Sequence, residues 1–262
     1  MAWGVREGNG VDLTTYARRL LEATEGWFPF PTDPTAITAA EQALPGVARC
    51  RRLLDGMIRV HDAPDLGGLF ARTIYETWLT SAYLLLGGDT AHERLTKNDD
   101  DERRQFAVRL LRAAPKLDHP DLADLVSEST AQLAAPMPPG SRITTEKLSK
   151  EVARLLEANG DPNADWVRHM YWSLFSAESY TTAHGGLGAI RQYMLERGEW
   201  TTRISADPWT HVGNDHRFGM MISAVLGLAR MVGMTIGLPI TALDDLDREW
   251  CEEQDRANRH DD

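Results

Sequence analysis

"APDLGGLFARTIYETWLTSAYLLLGG", residues 63–88, decides how this chain must fold. Its apolar residues recur at helical spacing but cover almost the whole circumference, so a helix from about Leu66 to Leu86 must bury more than one face. Gly87 and Gly88 close it. A helix of that kind belongs inside a bundle, and the neighbouring segments supply the other helices.

Working outward toward the N-terminus, an amphipathic helix is predicted from Leu13 to Glu25, broken by "FPFPTDP" (28–34). Asp33 there reads as an N-cap and Pro34 as a first helical residue. Pro45 divides the next helical region into a short piece and a longer one ending near His61. Toward the C-terminus, "TAHE" (90–93) reads as a capping box opening a charged helix through Ala114. Asp118 and Pro120 start another helix, "APMPPGSR" (135–142) is a loop, and residues 145–158 form a helix closed by Asn159 and Gly160. Asp161 and Pro162 begin the helix that carries "SYTTAHGGLGAI" (179–190). A long connection, 198–214, precedes a second strongly apolar helix ending at Leu238 and Pro239. A last charged helix fades into a frayed tail from about residue 256. No segment shows the alternation of a half-buried strand. The expectation is all-α: residues 1–262 as one helical bundle, with 66–86, 164–184 and 215–237 packed together at its centre.

Composition narrows the function classes. Lys and Arg number 28 against 39 Asp and Glu, a formal net charge of -11. That field repels polyphosphate and disfavours non-specific DNA binding, and "RCRR" (49–52), the densest basic stretch, is expected on an exposed helix face. Cys50 and Cys251 stand alone, which speaks against a disulfide frame or a thiolate zinc site and for a reducing compartment. "MAWGVREGNG" lacks the apolar core of a signal peptide, and Arg230 interrupts the apolar run 218–238, so a cytoplasmic chain with no membrane span is expected. Gly219, Ser223, Gly227, Gly233 and Gly237 notch that run and invite close helix pairing.

Chemistry can sit in three places. Arg72 and Glu76, four apart on the apolar helix, form a polar stripe with Leu69, Thr80 and Tyr83. It reads either as a structural ion pair or as the wall of a site, with Glu76 as base and Arg72 as anion holder. His184 shares the core-facing side of its helix with Met170, Leu174, Ala177 and Thr181. Tyr180 stands one turn earlier, and Gly185–Gly186 leave room for a ligand or another chain beside the imidazole. The 198–214 connection, with Trp209 and His211, reads as a lid or binding segment. His211, Asp215 and His216 lack metal-ligand spacing, so no metal and no cofactor is expected. "NDDDE" (98–102) is similar to an acidic magnesium motif, yet reads as a solvated face.

"LFARTIYETW" (69–78) and "SAESYTTAHGG" (176–186) resemble uncharacterised bacterial helical proteins distantly related to the HEPN superfamily. The resemblance covers about half the chain through short motifs. It implies a helical bundle, commonly a homodimer, and either RNA cleavage in toxin or phage-defence systems or binding of an RNA or protein partner. Under the first, His184 is general acid or base and Arg72 holds phosphate. The Arg-to-His spacing of the family's ribonucleases is missing before His184, so a non-catalytic binding module stands beside it. A small-molecule enzyme with Glu76, His184 and tryptophans in one pocket is the alternative. The cost of stranding two charges and an imidazole in a core places Arg72, Glu76 and His184 opposite one another, in a cavity opening near 198–214.

Overall fold

The computed structural model describes residues 12–32, 37–61, 63–117, 122–131, 138, 141–176, 195–196, 199–200 and 214–259. Its framework is an antiparallel pairing of α2 (Ala39–Arg59) with α3 (Pro64–Leu117). Thr38 caps α2 through a reciprocal box, its hydroxyl accepting from the Glu41 N–H at 3.2 Å while its own N–H donates to the Glu41 carboxylate at 2.7 Å. Ala40, Ala43, Leu44, Val47, Cys50, Leu54 and Met57 then recur at three- and four-residue spacing and are all buried. Two glycines let the backbones close: a Cβ at Gly46 would stand 1.8 Å from the Ser81 hydroxyl, and one at Gly56 would stand 2.6 Å from the Phe70 ring.

Pro45 does not divide α2 as expected. It is exposed, so water can serve the carbonyl that loses its helical donor, and the buried face runs on unbroken through Val47. The basic stretch on the same helix is not a uniform surface patch either. Arg49 and Arg52 are exposed, but Cys50 is buried, and Arg51 donates to the Leu21 carbonyl at 2.8 Å with its guanidinium 5.4 Å from the Phe28 ring.

Gly88, at φ 57° and ψ -142°, breaks α3 where its apolar half ends, in a conformation open to glycine. The charged half beyond it continues to Leu117 and carries α4 (Leu122–Thr130) and part of α5 (Thr145–Ala158). Glu93 there is held by Lys97 and bears out no box with Thr90. Asn159 and Gly160 do end α5: the Asp161 N–H returns to the Leu156 carbonyl at 2.9 Å around Gly160 at φ 69°.

α6 (Ala164–Met170) runs into a π-helical turn, Tyr171–Ser176. Two two-residue strands, β1 (Leu195–Glu196) and β2 (Glu199–Trp200), pair antiparallel, too short for any alternation to be readable. Then comes α7 (Asn214–Ile236), long and apolar enough to cross a membrane by length and composition, yet mostly buried inside the fold. Arg230 on it pairs with Asp244 at 2.8 Å and with Asp247, both on α8 (Thr241–Arg259). The C-terminal helix persists to Arg259, past the expected fraying point at 256, with Arg256 reaching Glu253 at 3.0 Å.

The chain is all-α, as the apolar periodicity requires. Among the described residues the central packing is of α2, α3 and α7: 66–86 and 215–237 are central as expected, α2 joins them, and of the expected 164–184 only the first part, to 176, is described. Among the described residues α6 buries Ala164, Val167 and Met170, packs on α5, and meets α3 through the Tyr75 hydroxyl and through Trp166 against Trp78. α1 (Leu13–Ala23) lies across α2, α7 and α8. Two of the notches of α7 are used within the chain: Trp27 and Ile240 occupy the space beside Gly233, and Ser223 accepts from the Trp250 indole at 2.9 Å, whereas Gly227 faces open space.

Candidate functional site

Helical geometry places Leu69, Arg72, Glu76 and Thr80 on one side of α3, and this side faces outward. Leu69 is exposed, Arg72 is 21% exposed and Glu76 40%, with Arg72 Nη2 3.6 Å from Glu76 Oε1. The pair is therefore not stranded in the core, and the expectation of a buried charge seeking a distant partner is corrected. Tyr83, at the end of the stripe, is buried, and its hydroxyl accepts from Arg94 at 2.9 Å.

What Arg72 has instead is a ring. Its guanidinium lies 4.7 Å from the centroid of Phe175, close enough for a cation–π contact. Phe175 stacks on Tyr171 at 5.4 Å, and Tyr171 meets Trp172 edge-on at 5.0 Å. All three aromatics lie on the π-helical turn, whose wider i→i+5 bonding changes the direction of successive side chains relative to a regular helix. Trp172 is left 65% exposed. Behind this face, Tyr75 stacks against Trp78 at 6.4 Å, Trp78 meets Trp166 at 5.2 Å, and the Tyr75 hydroxyl donates to the Val167 carbonyl at 3.0 Å. Burial pushes the Tyr75 phenol up, so it stays a neutral donor. The result is a rigid aromatic floor that fixes Arg72 between a carboxylate and a ring.

Of the residues singled out from sequence, Arg72 and Glu76 are brought together. His184, Tyr180, Trp209 and His211 lie outside the described residues. The third polar place, the 198–214 connection, lies mostly outside the described residues too, and only the helix start that follows it is seen. Asp215, in the first turn of α7, takes His61 as its partner, Nε2 to Oδ1 at 3.2 Å, with the imidazole 5.6 Å from the Phe218 ring. Arg217 beside it is only 1% exposed. Sequence reading missed His61 altogether, because its partner lies 154 residues away and neither residue stands in a motif. Among the described residues no group of three His, Cys, Asp or Glu side chains could hold a metal ion. The "NDDDE" acids are likewise taken: Asp99 pairs with Arg103, Glu102 with Arg142, and Asp101, which is buried, accepts from Gln105.

Comparison of the chain with protein-family models, with curated proteins and with solved structures finds no match.

Proposed function

We propose that the chain is a HEPN-like helical binding module whose docking face is centred on Trp172, and that its partner is a second copy of itself. The observation that carries this reading is the exposed indole on the π-helical turn, set edge-on against Tyr171, which stacks in turn on Phe175 beneath the Arg72 guanidinium. Trp, Tyr and Arg are the residues most enriched where interfaces concentrate their energy, because each offers a large rigid surface with a polar edge. An acidic chain at -11 makes a polyanionic partner the weaker choice. A two-fold contact would place this face against its own copy, Trp172 meeting the same patch on the other chain.

The test is light scattering over a concentration series. The parent chain is expected to be a dimer, and Trp172→Ala a monomer that keeps its helical circular-dichroism spectrum, since the side chain is exposed, and whose melting temperature no longer rises with concentration. A parent chain that is monomeric at every concentration, or a variant that still dimerises with the same affinity, defeats the proposal.

A second reading, RNA cleavage, is favoured by one observation: the half-exposed His61 imidazole held by Asp215. A carboxylate at that distance orients the ring for proton transfer. Loss of cleavage of a single-stranded RNA substrate in His61→Ala, with the fold retained, supports it. Absence of cleavage by the parent chain removes it.

A further inference from the structure

Beyond Gly88, away from the Trp172 face, the charged half of α3 and the segment leading into α5 enclose a surface groove of about 360 Å³. This volume lies at the lower end of the range for small-molecule sites. Arg103, Arg109 and Arg142 line it together with Asp99, Glu102 and Phe106. The groove is held from both sides. Asn98 accepts from the Ile143 N–H at 2.8 Å and donates to Glu102 at 3.2 Å, and Glu102 accepts from Arg142 at 2.8 Å. These bonds dock the residue 141–144 segment on α3 and set Arg142 over the groove. Arg103 is fastened by Asp99 at 2.8 Å. Arg109, exposed on the same wall, makes no ion pair among the described residues. Phe106 is 61% exposed, a large apolar ring left open inside a charged recess.

We propose that this groove binds a small aromatic monocarboxylate, with its ring against Phe106 and its carboxylate on the guanidinium of Arg109. The charge balance selects the class. Three guanidiniums against two carboxylates leave one positive charge in the lining, so a monoanion neutralises the site. A phosphomonoester, with nearly two negative charges, would be repelled by Asp99 and Glu102 once the first charge is met. The planar fork of an arginine matches a carboxylate in two parallel hydrogen bonds, and an aromatic ring gives a flat apolar ligand a stacking surface. Arg103 and Arg142, already tied to acids, are positioning groups that hold the walls.

Isothermal titration calorimetry of the full chain with phenylacetate, phenylacetamide and phenyl phosphate tests this. Phenylacetate is expected to bind, the neutral amide at least tenfold more weakly, and the phosphate no more tightly than the carboxylate. Arg109→Ala and Phe106→Ala should each weaken phenylacetate at least tenfold while leaving the melting temperature unchanged, because both side chains are exposed. Equal affinity for the amide, tighter binding of the phosphate, affinity indifferent to both substitutions, or no binding heat at millimolar phenylacetate would each overturn the proposal.

Discussion

At Gly46 α2 leaves no room for a side chain against α3, and replacing it with alanine tests that approach directly. An added Cβ would stand 1.8 Å from Ser81 Oγ, 3.1 Å from Ser81 Cβ and 3.7 Å from Thr77 Cγ2. Ser81 is buried, and its hydroxyl donates to the Thr77 carbonyl at 3.0 Å, so rotating it away gives up that bond. Even then the two Cβ atoms remain at 3.1 Å, and the helices must separate by a few tenths of an ångström. Overpacking of this kind costs about 1–3 kcal/mol. Alanine in place of glycine inside a helix returns about 1 kcal/mol. Giving up the Ser81 hydrogen bond adds about 1 kcal/mol, so the expected net loss is about 1–3 kcal/mol, seen as a fall in Tm of roughly 2–12 °C and a lower urea midpoint at unchanged m-value. Adding Ser81→Ala removes the nearest atom and should recover at least half of the loss, a non-additivity expected of residues in contact. If Gly46→Ala alone is as stable as the parent chain or more so, the helices do not cross this tightly and the reasoning fails.

Three further outcomes can be checked. Tyr75→Phe, which removes the donor to the Val167 carbonyl, should cost about 1 kcal/mol in urea unfolding, and more when Ser149→Ala removes the hydroxyl 3.2 Å away that could replace it; additive losses would argue against a shared network. Burial pushes the Cys50 thiol up to about 12, so a disulfide reagent at pH 8 should titrate one thiol in the native chain, Cys251, and two after denaturation; two reactive thiols before unfolding would refute the burial. The hydrogen bond from Arg19 holds the Glu249 carboxyl below its ordinary range, so the pair between α1 and α8 stabilises the fold above that range and is lost as pH falls through the lowered value. Melting curves of Glu249→Gln should accordingly lie below those of the parent at neutral pH and converge with them in acid; a gap that persists at the acid end would point to some other role.

Periodicity and end signals carried the helices, because both are local. The apolar faces of α2 and α7, and the glycine after α5, can be read without knowing what they touch. The all-α class followed from them, and so did the interior position of the first half of α3. Its outward polar edge did not. Arg72 and Glu76 were legible as a pair four residues apart, but whether a helix that is apolar nearly all round turns its two charges inward depends on which helices cover it. Among the described residues α2 takes the place beside it, a matter of tertiary packing that no single segment states. Pro45 misled for the same reason: a residue that breaks an isolated helix is tolerated where its lost bond faces water and a long buried face holds both sides together. The π-helical turn under Trp172 was not legible in the sequence, and neither was the meeting of its Phe175 with Arg72 and Tyr75, which only the packed chain brings together. The meeting of His61 with Asp215 was equally invisible, because it joins the end of one helix to the start of another across most of the chain, and only the packing of the bundle decides which ends come together.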